Sequence, residues 1–454
     1  MLLSPGTRPT RPGPAPESLR QRGLRVALLV QLVPRKRGSF EDWIVAMARE
    51  AASRGHRLDV FGIEPIDPAI REELAGAGSR WDSIDALLTH RLAGIRRLRQ
   101  YQMVHLNMFP TRHPVSLMAY AAWPTRVIYV DHSSQAAHPP GHFQLLRSRF
   151  IDRFTMPRIG RVVGVSDFVR DRGRLEMGLP ESRITTIYNG VDLARFTPNR
   201  SLKETRGFHV GCVANLIPAK GVETLIRALA QLNLPHWRLT VAGEGPDQPR
   251  LESVASELRV AGQIVFLGLR DDVPSLLRQC HVFVHPATWS EAFGLTITEA
   301  MASGCPVIAS RVGAVPELIE HRESGLLFPP GDVKALAAAL RMLYLDPRLA
   351  ANLADQALKR VKERFSLDRC VEKHIDLIEE LGTQRLRARG DSPSWGRAGS
   401  SFGQVDSEPD HICDHQDRHD LDREGLPAGD LDDRKDREHA VEYRGAESRQ
   451  GGGP

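Results

Sequence analysis

Short apolar runs rich in β-branched residues alternate with amphipathic stretches along most of this chain. Arg25–Leu32, Arg57–Gly62, Met103–Asn107, Arg126–Asp131, Arg161–Val165 and Thr185–Tyr188 read as strands. A second series follows at His209–Ala214, Arg238–Ala242, Ile264–Leu267, Val282–His285, Pro306–Ser310 and Gly325–Phe328. Between them, Trp43–Arg54, Val222–Leu232 and Val333–Leu343 repeat apolar side chains at helical spacing. Strands apolar on both faces, alternating with helices, predict parallel sheets covered on both sides. The pattern restarts near residue 208, after the polar stretch Phe196–Arg200. The expectation is an α/β protein of two Rossmann-like, doubly wound parallel-sheet domains, over residues 24–200 and 201–370. Ligands would bind in the inter-domain cleft, beyond the carboxyl ends of the strands.

Composition narrows the picture. The chain has 454 residues, 41% of them hydrophobic, enough for real cores and too many for wholesale disorder. It has no apolar run of the roughly 18 residues that a membrane span needs. Residues 1–23 are rich in Pro and Arg without an apolar core, which predicts a disordered leader and no secretory signal. The cysteines (Cys212, Cys280, Cys305, Cys370 and Cys413) are scattered, with no C-x-x-C pair, against a disulfide framework or zinc site. A cytoplasmic location is expected.

Charge is uneven. Residues 391–454 carry 16 acidic and 8 basic side chains, so the net +5 of the whole chain hides a basic body. Such a body suits anionic partners, and it also serves solubility. From residue 385 to 454 the chain is expected to be disordered, because apolar periodicity is lost there.

The most informative stretch runs from His285 to Val307. A strand should end near His285, a loop carry Glu291 to Gly294, and a helix begin near Leu295. Amides at such a helix start attract anions, so the Phe293–Thr296 backbone suits a phosphate. Glu291 and Glu299 stand too far apart for a glycosidase pair, whose carboxyls lie about 5–9.5 Å apart. They suit gripping hydroxyls at two places on one extended ligand. Thr296-x-x-Glu299 also matches a capping box, which would make Glu299 a helix-end residue only.

Glu291-x7-Glu299, with Phe293-Gly294 between and Ala302-Ser303-Gly304-Cys305-Pro306-Val307 after, resembles the donor-site signature of glycosyltransferase family 4. Tyr188-Asn189-Gly190-Val191-Asp192, Ala219-Lys220-Gly221-Val222-Glu223, Val241-Ala242-Gly243-Glu244-Gly245-Pro246 and Gly313-x-x-Pro316-Glu317 agree with it. The likeness extends from about Arg25 to Leu381 and is dense only after Asn189. Weaker echoes in the first half are Arg54-Gly55-His56 and Asp131-His132-Ser133.

The resemblance implies the GT-B fold, with a C-terminal helix over 371–384 packing back on the first domain. It implies a retaining, metal-independent glycosyltransferase that needs no cofactor. Its partners would be a nucleotide-sugar donor and a sugar or lipid-linked acceptor, in surface polysaccharide or glycoconjugate synthesis, with no nucleic acid. Carried over, Glu299 would accept from the nucleotide ribose and Glu291 would contact the donor sugar. Amides around Phe293, Gly294, Leu295 and Thr296 would help, and Lys220 would neutralise the diphosphate. His132 would lie near the transferred sugar and, with Lys220 and Glu291, make up the catalytic set; Leu269 and Arg270 would border the base, and Gly38, in the first glycine-bearing loop, and Asn215 would also bind the donor. The family uses the leaving phosphate to help deprotonate the acceptor, so no protein nucleophile is obligatory.

Two departures stand out. Asn215 occupies the place of a family arginine, and Val33-Pro-Arg-Lys-Arg-Gly38 replaces a Gly-Gly pair, with Arg35, Lys36 and Arg37 as candidate replacement charges. A catalytically weak GT-B scaffold is the alternative they suggest. Phe143–Arg158 mixes bulky apolar side chains with arginines, as a helix on the inner face of a membrane does. A buried helix with solvated arginines fits it equally.

Overall fold

The computed structural model describes residues 23–32, 37–134, 158–198, 207–232, 234 and 236–390. The leader, Arg35 and Lys36, the acidic tail beyond 390, and all of Phe143–Arg158 except Arg158 lie outside them. Both sheets fall within residues 1–393, one compact unit.

The first sheet contains β1 (Arg25–Val30), β2 (Arg57–Gly62), β3 (Trp81–Ser83), β4 (Met103–Asn107), β5 (Arg126–Asp131), β6 (Ile159–Gly164) and β7 (Ile184–Thr186). Its order is β3-β2-β1-β4-β5-β6-β7, and every pairing is parallel. The second contains β8 (Phe208–Val213), β9 (Trp237–Ala242), β10 (Ile264–Phe266), β11 (Val282–His285), β12 (Val307–Ser310) and β13 (Leu326–Phe328). Its order is β10-β9-β8-β11-β12-β13, again parallel. The strands are near-continuously apolar because helices cover both faces of each sheet.

Helices of the first lobe are α1 (Ser39–Ser53), α2 (Pro68–Gly76), α3 (Ile84–Thr89), α4 (Arg91–Leu98), α5 (Pro114–Ala121) and α6 (Asp167–Met177). Those of the second are α7 (Val222–Ala230), α8 (Gln248–Glu257), α9 (Val273–Gln279), α10 (Leu295–Ala302), α11 (Val315–Leu318), α12 (Val333–Leu345) and α13 (Pro347–Arg364). A last helix, α14 (Leu367–Gly390), returns to the first lobe and packs on α1. There Arg54 reaches Asp376 at 2.6 Å, and His56 meets Glu379 at 3.0 Å. Ile375 and Ile378 of α14 join the apolar core that α1 contributes to. No helix among the described residues is long and apolar enough to cross a membrane.

One strand was not anticipated, and one boundary moves. The edge strand β3 escapes sequence reading because three residues are too few to show a period. The region expected to be disordered from residue 385 instead continues α14 as far as Gly390. Its Arg-Leu-Arg-Ala-Arg sequence consists of good helix formers and ends on glycine.

Ile375 is fully buried, so Ile375→Ala should cost about 2–5 kcal/mol by transfer and cavity terms. The midpoint of chemical denaturation measures it; an unchanged midpoint would contradict the packing of α14.

Candidate active site

Strand order reverses between β8 and β11 in the second sheet, and that reversal opens a crevice at the carboxyl ends of the strands. A cavity of about 380 Å³ lies there. Val213 to Asn215 reach it from the end of β8, Leu269 and Arg270 from beyond β10, and His285 from the end of β11. His132 and Ser134 border it from the first lobe, just past β5. The structure therefore gathers His132, Asn215, Lys220, Leu269, Arg270, Glu291, Phe293, Gly294, Leu295 and Thr296 around one space. Gly38 and Glu299 are not among its lining residues; Glu299 instead meets Ser39, the neighbour of Gly38, at a second point between the lobes.

Lys220 and Glu291 form the charged centre, with Lys220 Nζ 2.5 Å from Glu291 Oε1. Backbone geometry brings them together. Gly221 has φ +65°, and a Cβ there would stand 2.0 Å from the Pro286 carbonyl oxygen. Only glycine lets the lysine turn pass so close to the loop after β11. Gly313 (φ +49°) does the same for the backbone of Glu291, where a Cβ would fall 2.2 Å from its carbonyl oxygen. His285 completes the group, with Nε2 at 3.4 Å from Glu291 Oε1, near enough for charge attraction but without hydrogen-bond alignment. Burial works against the Glu291 charge, yet His285 and Lys220 together hold its carboxyl down at about 2. Arg270 is exposed and pairs with Asp272 at 2.7 Å.

Helix α10 opens toward the cavity as expected, with Gly294 as its N-cap at φ +104°. Its first N–H groups have no intrahelical partner. The capping-box reading of Glu299 fails, because no side chain caps α10. Glu299 instead accepts from Ser39 Oγ at 2.5 Å, across the lobes. Burial raises its pKa, an effect the Ser39 hydrogen bond opposes. Gly38 precedes that serine, its N–H held by Glu41 Oε2 at 3.0 Å. Of the candidate replacement charges only Arg37 is described, and it does not face the cavity. Its guanidinium is bound by Asp42 at 2.6 Å and by Glu73.

Sequence reading missed several residues here. Ser39 gives no motif signal, and His285 reads only as the end of a strand, with no role in the site. Met108 borders the cavity with φ +62°, a left-handed conformation that a methionine rarely adopts. Asn189, inside a recognised motif, also lines the space. Among the described residues no group of three or more His, Cys, Asp or Glu side chains could hold a metal ion.

Two facing parallel-sheet lobes with a polar crevice between them define a GT-B-type protein. The family model described as Glycosyltransferase Family 4 matches residues 41–195, and the one described as Glycosyl transferases group 1 matches residues 195–360. The chain belongs to this glycosyltransferase family.

An exopolysaccharide phosphotransferase of Streptomyces coelicolor is 28% identical over 65% of this chain and 31% of its own length. A GDP-mannose-dependent alpha-(1-6)-phosphatidylinositol monomannoside mannosyltransferase of Mycolicibacterium smegmatis is 29% identical over 70% of this chain and 88% of its own. The chain thus spans under a third of the first relative and most of the second. Among solved structures, Anabaena HepE in complex with UDP-glucose shares the fold, with a TM-score of 0.67 at 23% identity over 79% of this chain and all of that one.

The Glu291 carboxyl, at about 2 against an ordinary 4.5, contributes stability that is fully present above pH 4.5 and fades as pH falls toward 2. Glu291→Gln should therefore be less stable than the parent at neutral pH and lose less on acidification. Denaturation midpoints at about pH 7 and about pH 3 test this, and parallel losses in both proteins would refute it.

Proposed function

We propose that this chain is a retaining glycosyltransferase that moves a sugar from a nucleotide diphosphate sugar to a sugar or lipid-linked acceptor. The pathway would be surface polysaccharide or glycoconjugate synthesis, and a lipid-linked acceptor would bring the protein to the cytoplasmic face of a membrane. The observation that carries the reading is the convergence of Lys220, Glu291 and the first turn of α10 on one cavity.

The chemistry follows from charge. Cleaving a glycosyl–phosphate bond puts positive character on the sugar and negative charge on the departing diphosphate. Lys220 and the free amides at Leu295 and Thr296 would stabilise that negative charge as it develops. A diphosphate competes with Glu291 for Lys220, and the freed carboxylate can then accept sugar hydroxyls. Glu299 already accepts a hydroxyl from Ser39, the same kind of bond a ribose would offer. Leu269 and Arg270, at the outer rim, would border the base, and His132 would face the sugar from the opposite lobe. The leaving phosphate serves as the base for the acceptor hydroxyl, so no metal or protein nucleophile enters.

Asn215 favours a second reading. It supplies an amide at the cavity in place of a cation, which would leave a nucleotide-sugar binder of weak catalytic power. One named relative is GDP-mannose-dependent and one solved structure holds UDP-glucose, so both donors belong in the test.

A donor that binds the native state should raise the melting temperature in proportion to the logarithm of its concentration above Kd. Transfer should fall about 10²–10³-fold in Lys220→Ala, by loss of one preorganised donor to the leaving group. Thermal shift combined with product detection for GDP-mannose and UDP-glucose checks both. Binding without turnover supports the scaffold, and the absence of both binding and turnover sinks the proposal.

A further inference from the structure

Strand β4 is apolar except for two residues on one face, His105 and Asn107, both fully buried. They belong to a chain of polar groups. His132 Nε2 lies 3.4 Å from Asn107 Oδ1, a long hydrogen bond. Asn107 Nδ2 lies 2.8 Å from His105 Nδ1, and His105 Nε2 lies 3.1 Å from His374 Nδ1 on α14. Aromatic rings wall this line off. Trp43 stands 5.9 Å from the His105 ring and 5.5 Å from that of His374, and Phe40 meets His132 edge-on at 5.7 Å.

A carboxamide has one accepting end and one donating end, which gives the line a direction. Asn107 Oδ1 accepts, so His132 carries its proton on Nε2. Asn107 Nδ2 donates, so His105 Nδ1 is bare, and its proton on Nε2 points to a bare Nδ1 of His374. A further proton on His105 or on His374 Nδ1 would set two donors face to face. Burial acts in the same sense, pulling His105 down to about 3 and His132 to about 4, with His374 also well below its ordinary value. Asp131, beside His132, favours the charged form, but it is engaged by Arg172 at 3.2 Å and by Ser133. Lys373, next to His374, opposes a charge there.

We propose that Asn107, His105 and His374 are positioning residues that lock His132 as a neutral imidazole protonated on Nε2. With Nε2 committed, Nδ1 is the nitrogen left to serve the cavity, as an acceptor for a hydroxyl of the bound sugar. His132 then cannot act as an acid at neutral pH. The sugar part of this inference rests on the glycosyltransferase reading; the lock does not.

Long-range 1H–15N correlation spectra of the full chain, labelled with 15N at histidine, read the tautomer directly. His132→Gln assigns the resonances. At about pH 7, His132 should give the neutral pattern protonated on Nε2, and keep it to about pH 5. An Nδ1–H tautomer or an imidazolium overturns the lock, and this spectrum needs no variant of the line itself.

Two substitutions test the line further. Asn107→Asp turns the donor to His105 into a second, charged acceptor, and should raise the His132 midpoint by about one unit or more. His374→Phe cuts the far end, and should mix the His132 tautomers and lower kcat about tenfold with the donor KM unchanged. An unchanged His132 midpoint in Asn107→Asp together with an unaltered His132 tautomer in His374→Phe refutes the relay. Absence of any transfer, with the tautomer as expected, would sink the glycosyltransferase reading and leave the lock standing.

Discussion

The contact between Lys220 and Glu291 governs this cleft. Both side chains are largely withdrawn from water, and a buried charge is tolerated only beside its partner. That requirement fixes the separation of the two loops at the strand-order reversal. It also explains the glycines around them. Gly221 and Gly313 each let one backbone run against another at a distance that any side chain would forbid. A buried ion pair is a poor source of net stability, because desolvation offsets most of its attraction. Its value here is electrostatic. The pair holds a cation in place at the wall of the cavity.

The lobes are joined in two different ways. Behind the cavity wall that Phe293 supplies, Tyr188, Phe293 and Phe365 meet tilted or edge-on at centroid distances of 5.3 to 6.2 Å, an apolar seam crossing from one lobe to the other. Beside the cavity the joints are polar. Ser166 donates to the Ala292 carbonyl at 2.7 Å, Glu317 accepts from the first amides of α6, and Ser39 holds Glu299. Polar joints can be exchanged for ligand hydroxyls at little net cost, since a typical hydrogen bond contributes only about 0.5–1.5 kcal/mol. Apolar ones cannot be so exchanged. The seam therefore acts as the fixed side and the polar joints as the replaceable one.

Much of this was legible in the residues alone. Doubly buried strands announce themselves as unbroken apolar runs, and β2, β4, β5 and β11 begin and end where that pattern does. The strand, loop and helix around Glu291 are likewise local features. What escaped was decided by contacts distant along the chain. Ser39 and Glu299 are 260 residues apart, and His105 and His374 are 269 apart. No spacing rule reaches that far. For the same reason Glu299 looked like a capping residue, because only the opposite lobe reveals its donor. Arg37 looked free for a phosphate because Glu73, its stronger partner, sits on another helix. One signal was present but unread: His105 and Asn107, two polar residues on the same face of an apolar strand, are costly unless partnered.

These features divide the cleft electrically. At the second lobe a cation and helix-start amides present positive charge, and the acid beside them stays ionised to about pH 2. At the first lobe burial keeps His132 neutral, so that side offers a lone pair and no charge. Had His132 been cationic, both lobes would have presented positive charge to the cavity and the difference between them would have been lost. With one charged pole and one neutral acceptor, a molecule carrying phosphate at one end and hydroxyls at the other has a single favourable orientation. The buried line behind His132 is thus tied to the ion pair opposite: each keeps the other's half of the cleft distinct.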